Sequence, residues 1–159
     1  MTIFALSSGS GRAGIAVIRV SGPAAGGALR ALSGMPANPP ARHAARVRLR
    51  GAGGETIDEA LALWFPAPNS FTGEDVVEYH LHGSPAVISE MTNCLSSFAN
   101  HRPAERGEFT RRGFENGRMD LTEAEAIADL IDAETTAQKD QALSQMSGEL
   151  KQLYEGWAT

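Results

Sequence analysis

Residues 9–20 read Gly9-Ser10-Gly11-Arg12-Ala13-Gly14-Ile15-Ala16-Val17-Ile18-Arg19-Val20, a glycine-rich loop that runs straight into a β-branched segment. The head of this stretch matches G-x-G-x-x-G, which binds dinucleotides when a helix follows and its N-terminal amides receive the pyrophosphate. Here the following residues favour extended chain instead, and no acidic side chain stands near position 34 to hold a ribose. The loop therefore reads as a hairpin connection, flexible or ligand-covering, between the apolar run at residues 3–7 and the strand Ile15–Val20. No G-x-x-x-x-G-K-[S/T] phosphate loop occurs in the sequence either. Arg19 interrupts an otherwise apolar strand. A half-buried guanidinium demands a partner, so a carboxylate or a bound anion is expected beside it.

Downstream, Ser21 and Gly22-Pro23 offer the start of a short helix over residues 24–32, with Gly34 as its stop. Residues 35–41 hold three prolines and read as a loop. Arg46, Arg48 and Arg50 alternate with Val47 and Leu49 in a half-exposed strand, and residues 60–65 and 76–81 read as two more strands around a loop at 66–73. After Gly83 the period changes. Residues 85–99 fit a helix with Ser84 as its cap and Pro85 at its first position, and residues 108–115 fit a shorter one. Thr122 and Glu125 form a capping-box pair at the head of a long helix, whose apolar residues Leu143, Met146, Leu150, Leu153 and Trp157 step by three and four. A stripe that long needs covering. Another subunit can do so, but the expectation is that the chain is the first part of a longer protein.

The chain's 159 residues suit one domain, or one domain with a helical appendage. Its 42% hydrophobic and 21% charged content argues for a packed core rather than disorder. Cys94 is the single cysteine, which excludes an internal disulfide and suits a reducing compartment. No apolar run is long enough for a transmembrane helix, and the N-terminus shows no signal pattern, so a cytoplasmic protein without a membrane partner is expected. Charge is unevenly placed: residues 1–118 carry 12 basic and 10 acidic side chains, whereas residues 119–159 carry 2 and 9. That shift predicts two units, 1–118 and 119–159, of which the acidic second is a poor surface for nucleic acid.

Glu78, His80 and His82 lie two apart on a predicted strand and so share a face. Such a face could bind a metal, hydrogen-bond a polar heterocycle, or stand solvated. Arg46, Arg48 and Arg50, with Arg42 and His43 just before them, form a basic stripe that reads either as a phosphate contact or as a solvated face. Arg106, Arg111, Arg112 and Arg118 form a second basic cluster. Cys94 reads as a packed thiol, with no His or Cys at metal spacing to it.

Three stretches together resemble one family. They are Gly14-Ile-Ala-Val-Ile-Arg-Val-Ser-Gly22, Leu63-Trp-Phe-Pro-Ala-Pro-Asn-Ser-Phe-Thr-Gly-Glu-Asp-Val-Val-Glu78 running on to His82-Gly83, and Gly107-Glu-Phe-Thr-Arg-Arg-Gly-Phe-Glu-Asn-Gly-Arg-Met-Asp-Leu121 with its helical continuation to Ile131. The sequence is similar to the N-terminal region of the MnmE (TrmE) family of tRNA modification GTPases. The resemblance implies an α+β fold, with a mixed or antiparallel sheet and flanking helices as in folate-binding aminomethyltransferases, followed by a long helix that begins a truncated helical domain. It implies that this segment binds a tetrahydrofolate derivative, 5-formyl- or methylene-tetrahydrofolate, through Arg19, Glu78 and Arg118, and forms a homodimer. Arg118 stands where the family pattern usually has Lys, and Ser84 where it has Gly. In the family, the whole enzyme works with the FAD-dependent partner MnmG on carbon 5 of the wobble uridine of certain tRNAs. GTP, Mg²⁺ and K⁺ belong to a G domain outside this chain, so neither GTPase activity nor a catalytic or metal-ligating residue is expected on this segment. The alternative is a dimerisation module without a functional folate site.

Overall fold

A computed structural model of the chain describes residues 1–7 and 14–131. The loop around Gly9–Gly11 and the helical stripe from Leu143 to Trp157 lie outside the described residues. The chain divides into two compact units, Met1–Glu105 and Arg106–Thr159.

The first unit is a six-stranded mixed sheet with two helices. Its strands are β1 (Thr2–Leu6), β2 (Ile15–Ser21), β3 (Ala45–Arg50), β4 (Thr56–Phe65), β5 (Val76–His82) and β6 (His101–Pro103), in the spatial order β3-β4-β5-β2-β1-β6. All neighbours run antiparallel except β1 and β6, which are parallel. Alternation within each strand sorts the faces. Phe4, Ile18, Val20, Val47, Leu49, Val77, Tyr79 and Leu81 point to one side and meet Leu29 and Leu32 of α1 (Ala25–Ser33) and Met91 and Leu95 of α2 (Pro85–Ser97). Each such side chain stabilises the fold by roughly 1.5–3 kcal/mol when fully buried. The partly buried Cys94 packs at the margin of this core, and burial, more than the nearby Glu55 carboxylate, pushes its thiol up. Burial likewise raises the Tyr79 phenol, whose hydroxyl finds no hydrogen-bond partner among the described residues.

One glycine is required where β2 hands the chain to α1. Gly22 has φ +144°, and a Cβ there would lie 2.6 Å from the Thr2 backbone. The close approach lets the Thr2 hydroxyl accept the Ala24 amide at 3.0 Å and so hold the head of α1. Gly34 closes that helix in the left-handed region with φ +71°, as its position in the sequence predicts.

Several expectations are corrected. The sequence gives no sign of β6, whose three residues pair only with β1. Strand β4 begins at Thr56, ahead of the apolar run, because polar residues continue the ladder with β3 past a register shift between Leu49 and Arg50. Helix α2 stops at Ser97, where Phe98 turns extended, and Ser84 occupies the cap position without a side-chain capping bond.

The second unit contains α3 (Glu108–Glu115) and α4 (Leu121–Ile131) among the described residues. Glu108 is buried and held by Arg112 Nη2 at 3.1 Å, one turn along the helix. Gly117, with φ +72°, turns the chain after α3, and the Arg118 amide donates to Gly113 O at 2.8 Å. Helix α4 starts ahead of the expected Thr122 cap. Asp120 Oδ1 accepts the Glu123 amide at 2.8 Å, so the carboxylate takes the capping role, favoured by the helix dipole. No helix among the described residues is long and apolar enough to cross a membrane.

Candidate functional site

The sheet face away from α1 and α2 carries the polar residues of β2 and β5. Arg19 and Glu78 are direct cross-strand partners in the β2–β5 register. Arg19 donates from Nε and Nη2 to Glu78 Oε2 at 3.3 and 3.2 Å, and the two side chains are 23% and 22% exposed. The carboxylate expected beside Arg19 is therefore Glu78. His80 Nε2 stands 3.4 Å from the other oxygen, Glu78 Oε1, and the Phe71 ring lies under the guanidinium with its centroid 4.9 Å from Cζ. The result is a partly desolvated carboxylate, fixed from both sides, next to an aromatic surface. Such a carboxylate accepts two adjacent N–H groups of a flat heterocycle well, because charge-assisted bonds strengthen as water is excluded.

The loop between β4 and β5 is pinned to the same edge of this face. Ser21 Oγ lies 2.7 Å from Thr72 Oγ1 and donates to Glu74 Oε1 at 2.9 Å, while Ser70 Oγ donates to the Glu74 carbonyl. Asp75 Oδ1 accepts the Ala67 amide at 2.8 Å next to the cis Ala67–Pro68 bond. These contacts set Phe71 against Arg19.

The two histidines turn to different carboxylates. His82 Nδ1 lies 2.8 Å from Asp58 Oδ1, and its amide donates to Asp58 Oδ2 at 2.9 Å. Among the described residues no group of three His, Cys, Asp or Glu side chains could hold a metal ion. In the basic stripe, Arg48 donates to Glu59 Oε1 at 2.6 and 3.2 Å, and Arg46 Nη2 lies 3.7 Å from Glu59 Oε2. The Arg48 hydrogen bond, then the charges of Arg48 and Arg46, hold the Glu59 carboxyl below its usual range.

Of the three residues expected to contact folate, Arg19 and Glu78 are brought into direct contact. Arg118 lies in the second unit, exposed in the turn between α3 and α4. Sequence reasoning missed Phe71, Thr72, Glu74 and Asp58. The first three stand within the Pro-Asn-Ser-Phe-Thr-Gly-Glu-Asp stretch at residues 68–75, so the stretch is visible in the sequence while its individual contacts are not. Asp58 carries no such signal, since nothing in its neighbours marks it as the partner of His82.

The family model for the GTP-binding protein TrmE N-terminus matches residues 2–118 of this chain. The chain is 60% identical over 158 residues to the mitochondrial 5-taurinomethyluridine-[tRNA] synthase subunit GTPB3 of Mus musculus, an alignment covering 99% of this chain and 32% of that protein. Identity to the Homo sapiens protein of the same name is also 60%, with the same coverage. The tRNA modification GTPase MnmE of Maricaulis maris is 58% identical over 156 residues, covering 98% of this chain and 35% of the relative. This chain thus spans about a third of the length of the curated relatives it matches. With the family model covering the whole sheet and both strands that carry Arg19 and Glu78, the chain belongs to the TrmE N-terminal family.

Proposed function

We propose that this chain is the folate-binding and dimer-forming part of a tRNA modification protein that acts at the wobble uridine. The observation that carries the reading is the Arg19–Glu78 pair, flanked by Phe71 and His80 on the face the helices leave open. A pterin ring presents an amino group beside a ring N–H, which a fixed carboxylate accepts, and its flat surface suits the neighbouring aromatic ring. The ligand in this reading is 5-formyl- or methylene-tetrahydrofolate, serving as a one-carbon donor. Arg118 is assigned as a further cation for it.

The names of the relatives support the role in tRNA modification. In this reading the whole protein binds GTP with Mg²⁺ and K⁺ through a G domain outside this chain. It acts on tRNA together with an FAD-dependent MnmG partner, in the cytoplasm. The test is a binding titration of 5-formyltetrahydrofolate against Arg19→Ala and Glu78→Ala, with circular dichroism confirming that both fold. Loss of a charge-assisted hydrogen bond of about 1.5–3 kcal/mol predicts affinity reduced about ten- to a hundredfold. Two folded variants that bind as tightly as the parent would overturn the assignment.

A further inference from the structure

The arginines of the edge strand β3 have no part in the reading above. Arg46, Arg48 and Arg50 alternate with the core residues Val47 and Leu49, so all three stand on the face that carries Arg19 and Glu78. The register places them. Arg46 is opposite Leu61, Leu61 opposite His80, and His80 opposite Val17, which makes one row across four strands. Glu78 stands in the next row, opposite Leu63. Two strand spacings across and two residues along put Arg46 about 12 Å from Glu78, backbone to backbone.

An open cleft of about 380 Å³ lies beside His80 on this face. Ile15 and Leu61 give it an apolar floor, and Arg46 and Glu59 form the wall farthest from β2. The face therefore offers a hydrogen-bond-accepting carboxylate at one end, an apolar stretch in the middle and guanidinium groups at the other end. A folate has the matching order: a ring with N–H donors, a flat benzoyl spacer, and a glutamate tail bearing carboxylates.

Charge on β3 favours that tail. Of the nearby carboxylates, Glu59 makes its close contacts with Arg48, Asp58 is held by His82, and Glu55 lies against Gly51. Arg46 is 83% exposed and its 3.7 Å approach to Glu59 is too long for a hydrogen bond, while Arg50 has no ion-pair partner among the described residues. Successive arginines stand about 6.8 Å apart along the strand. Each γ-linked glutamate adds one α-carboxylate, and long arginine side chains can follow such a repeat. Because β3 is the edge of the sheet, a growing tail runs off it without meeting another strand. A nucleic-acid surface fits less well, since no aromatic side chain interleaves the stripe for base stacking.

We propose that the β3 arginines bind the glutamate tail of the folate, so that this chain prefers polyglutamylated over monoglutamyl ligand. The proposal rests on the folate reading of the Arg19–Glu78 face. The experiment is calorimetric titration of the 159-residue chain with mono- and triglutamyl 5-formyltetrahydrofolate, at low and high salt. It is repeated on Arg46→Gln/Arg48→Gln/Arg50→Gln and on Glu78→Ala. The expected result is a triglutamate bound roughly three- to tenfold more tightly, an advantage reduced by salt and abolished in the triple variant. Equal affinities in the parent, or a tail preference that survives in the triple variant, overturn it. So does a triple variant that keeps the preference and instead loses binding of a tRNA anticodon stem-loop. Binding that is tail-indifferent yet lost in Glu78→Ala removes the arginine proposal alone, whereas binding of neither ligand, or binding unaffected by Glu78→Ala, removes the folate reading with it.

Discussion

Arg19 sits within a strand whose alternate residues Ile18 and Val20 are wholly buried, and it is tolerated there because Glu78 stands directly across. The pair is half-buried, which leaves each charge enough solvent to avoid a heavy desolvation cost while keeping the carboxylate oriented. The need for a partner at Arg19 is legible in the sequence, since a cation amid β-branched residues loses water that only an opposite charge or an anion can replace. Its identity follows only from register, which depends on how the loops set the strands. Glu59 gives a test of electrostatics at the same scale. Its carboxyl is held low by Arg48 and Arg46, so the pairing contributes fully above the ordinary carboxylate range and is lost as pH falls through the lowered value. In an NMR titration, the Glu59 midpoint in the parent is expected below that of an ordinary glutamate, and Arg48→Ala moves it upward. An unchanged midpoint would mean the pair has no hold in solution.

The strands and helices follow from alternation and from a few residues that close or open them. Gly22 is one such residue. A side chain there meets the Thr2 backbone, and its φ is one that L residues rarely adopt. Gly22→Ala is therefore expected to lower stability by about 2–4 kcal/mol in urea denaturation. Gly34→Ala, left-handed but with open space around it, should cost only about 1 kcal/mol. Equal losses would show that the contact with Thr2 is unimportant. Helix α4 offers a second test. Asp120→Ala removes the observed cap and should cost about 1 kcal/mol with faster amide exchange in the first turn, while Thr122→Ala should leave that turn unchanged. The sequence points to Thr122 because Thr-x-x-Glu is a familiar pattern. Asp120 reaches the Glu123 amide instead, and Asp-x-x-Glu two residues earlier reads equally well once the helix start is known. Strand β6 is illegible for a different reason: three residues with a proline give no period, and only pairing with β1 makes them a strand.

At the scale of the molecule, the first unit is a sheet with one face given to packing and the other carrying most of its charged side chains. Two helices cover the first face, and the second carries the ion pair on β2 and β5, with Phe71 of the β4–β5 loop beside it and the arginine stripe on β3, beyond β4. Most of that division is visible in the sequence as alternation of apolar and charged residues. The charge shift near Asp120 is visible too, as is the helical character of residues 121–131; the compact units divide at Glu105 and Arg106. The open face of the sheet is, in this account, where folate binds. Amide NMR spectra of the chain titrated with 5-formyltetrahydrofolate test that claim most directly. Shifts are predicted to concentrate at residues 17–21, 70–75 and 78–80; no shifts, or shifts confined to the face covered by α1 and α2, would contradict it.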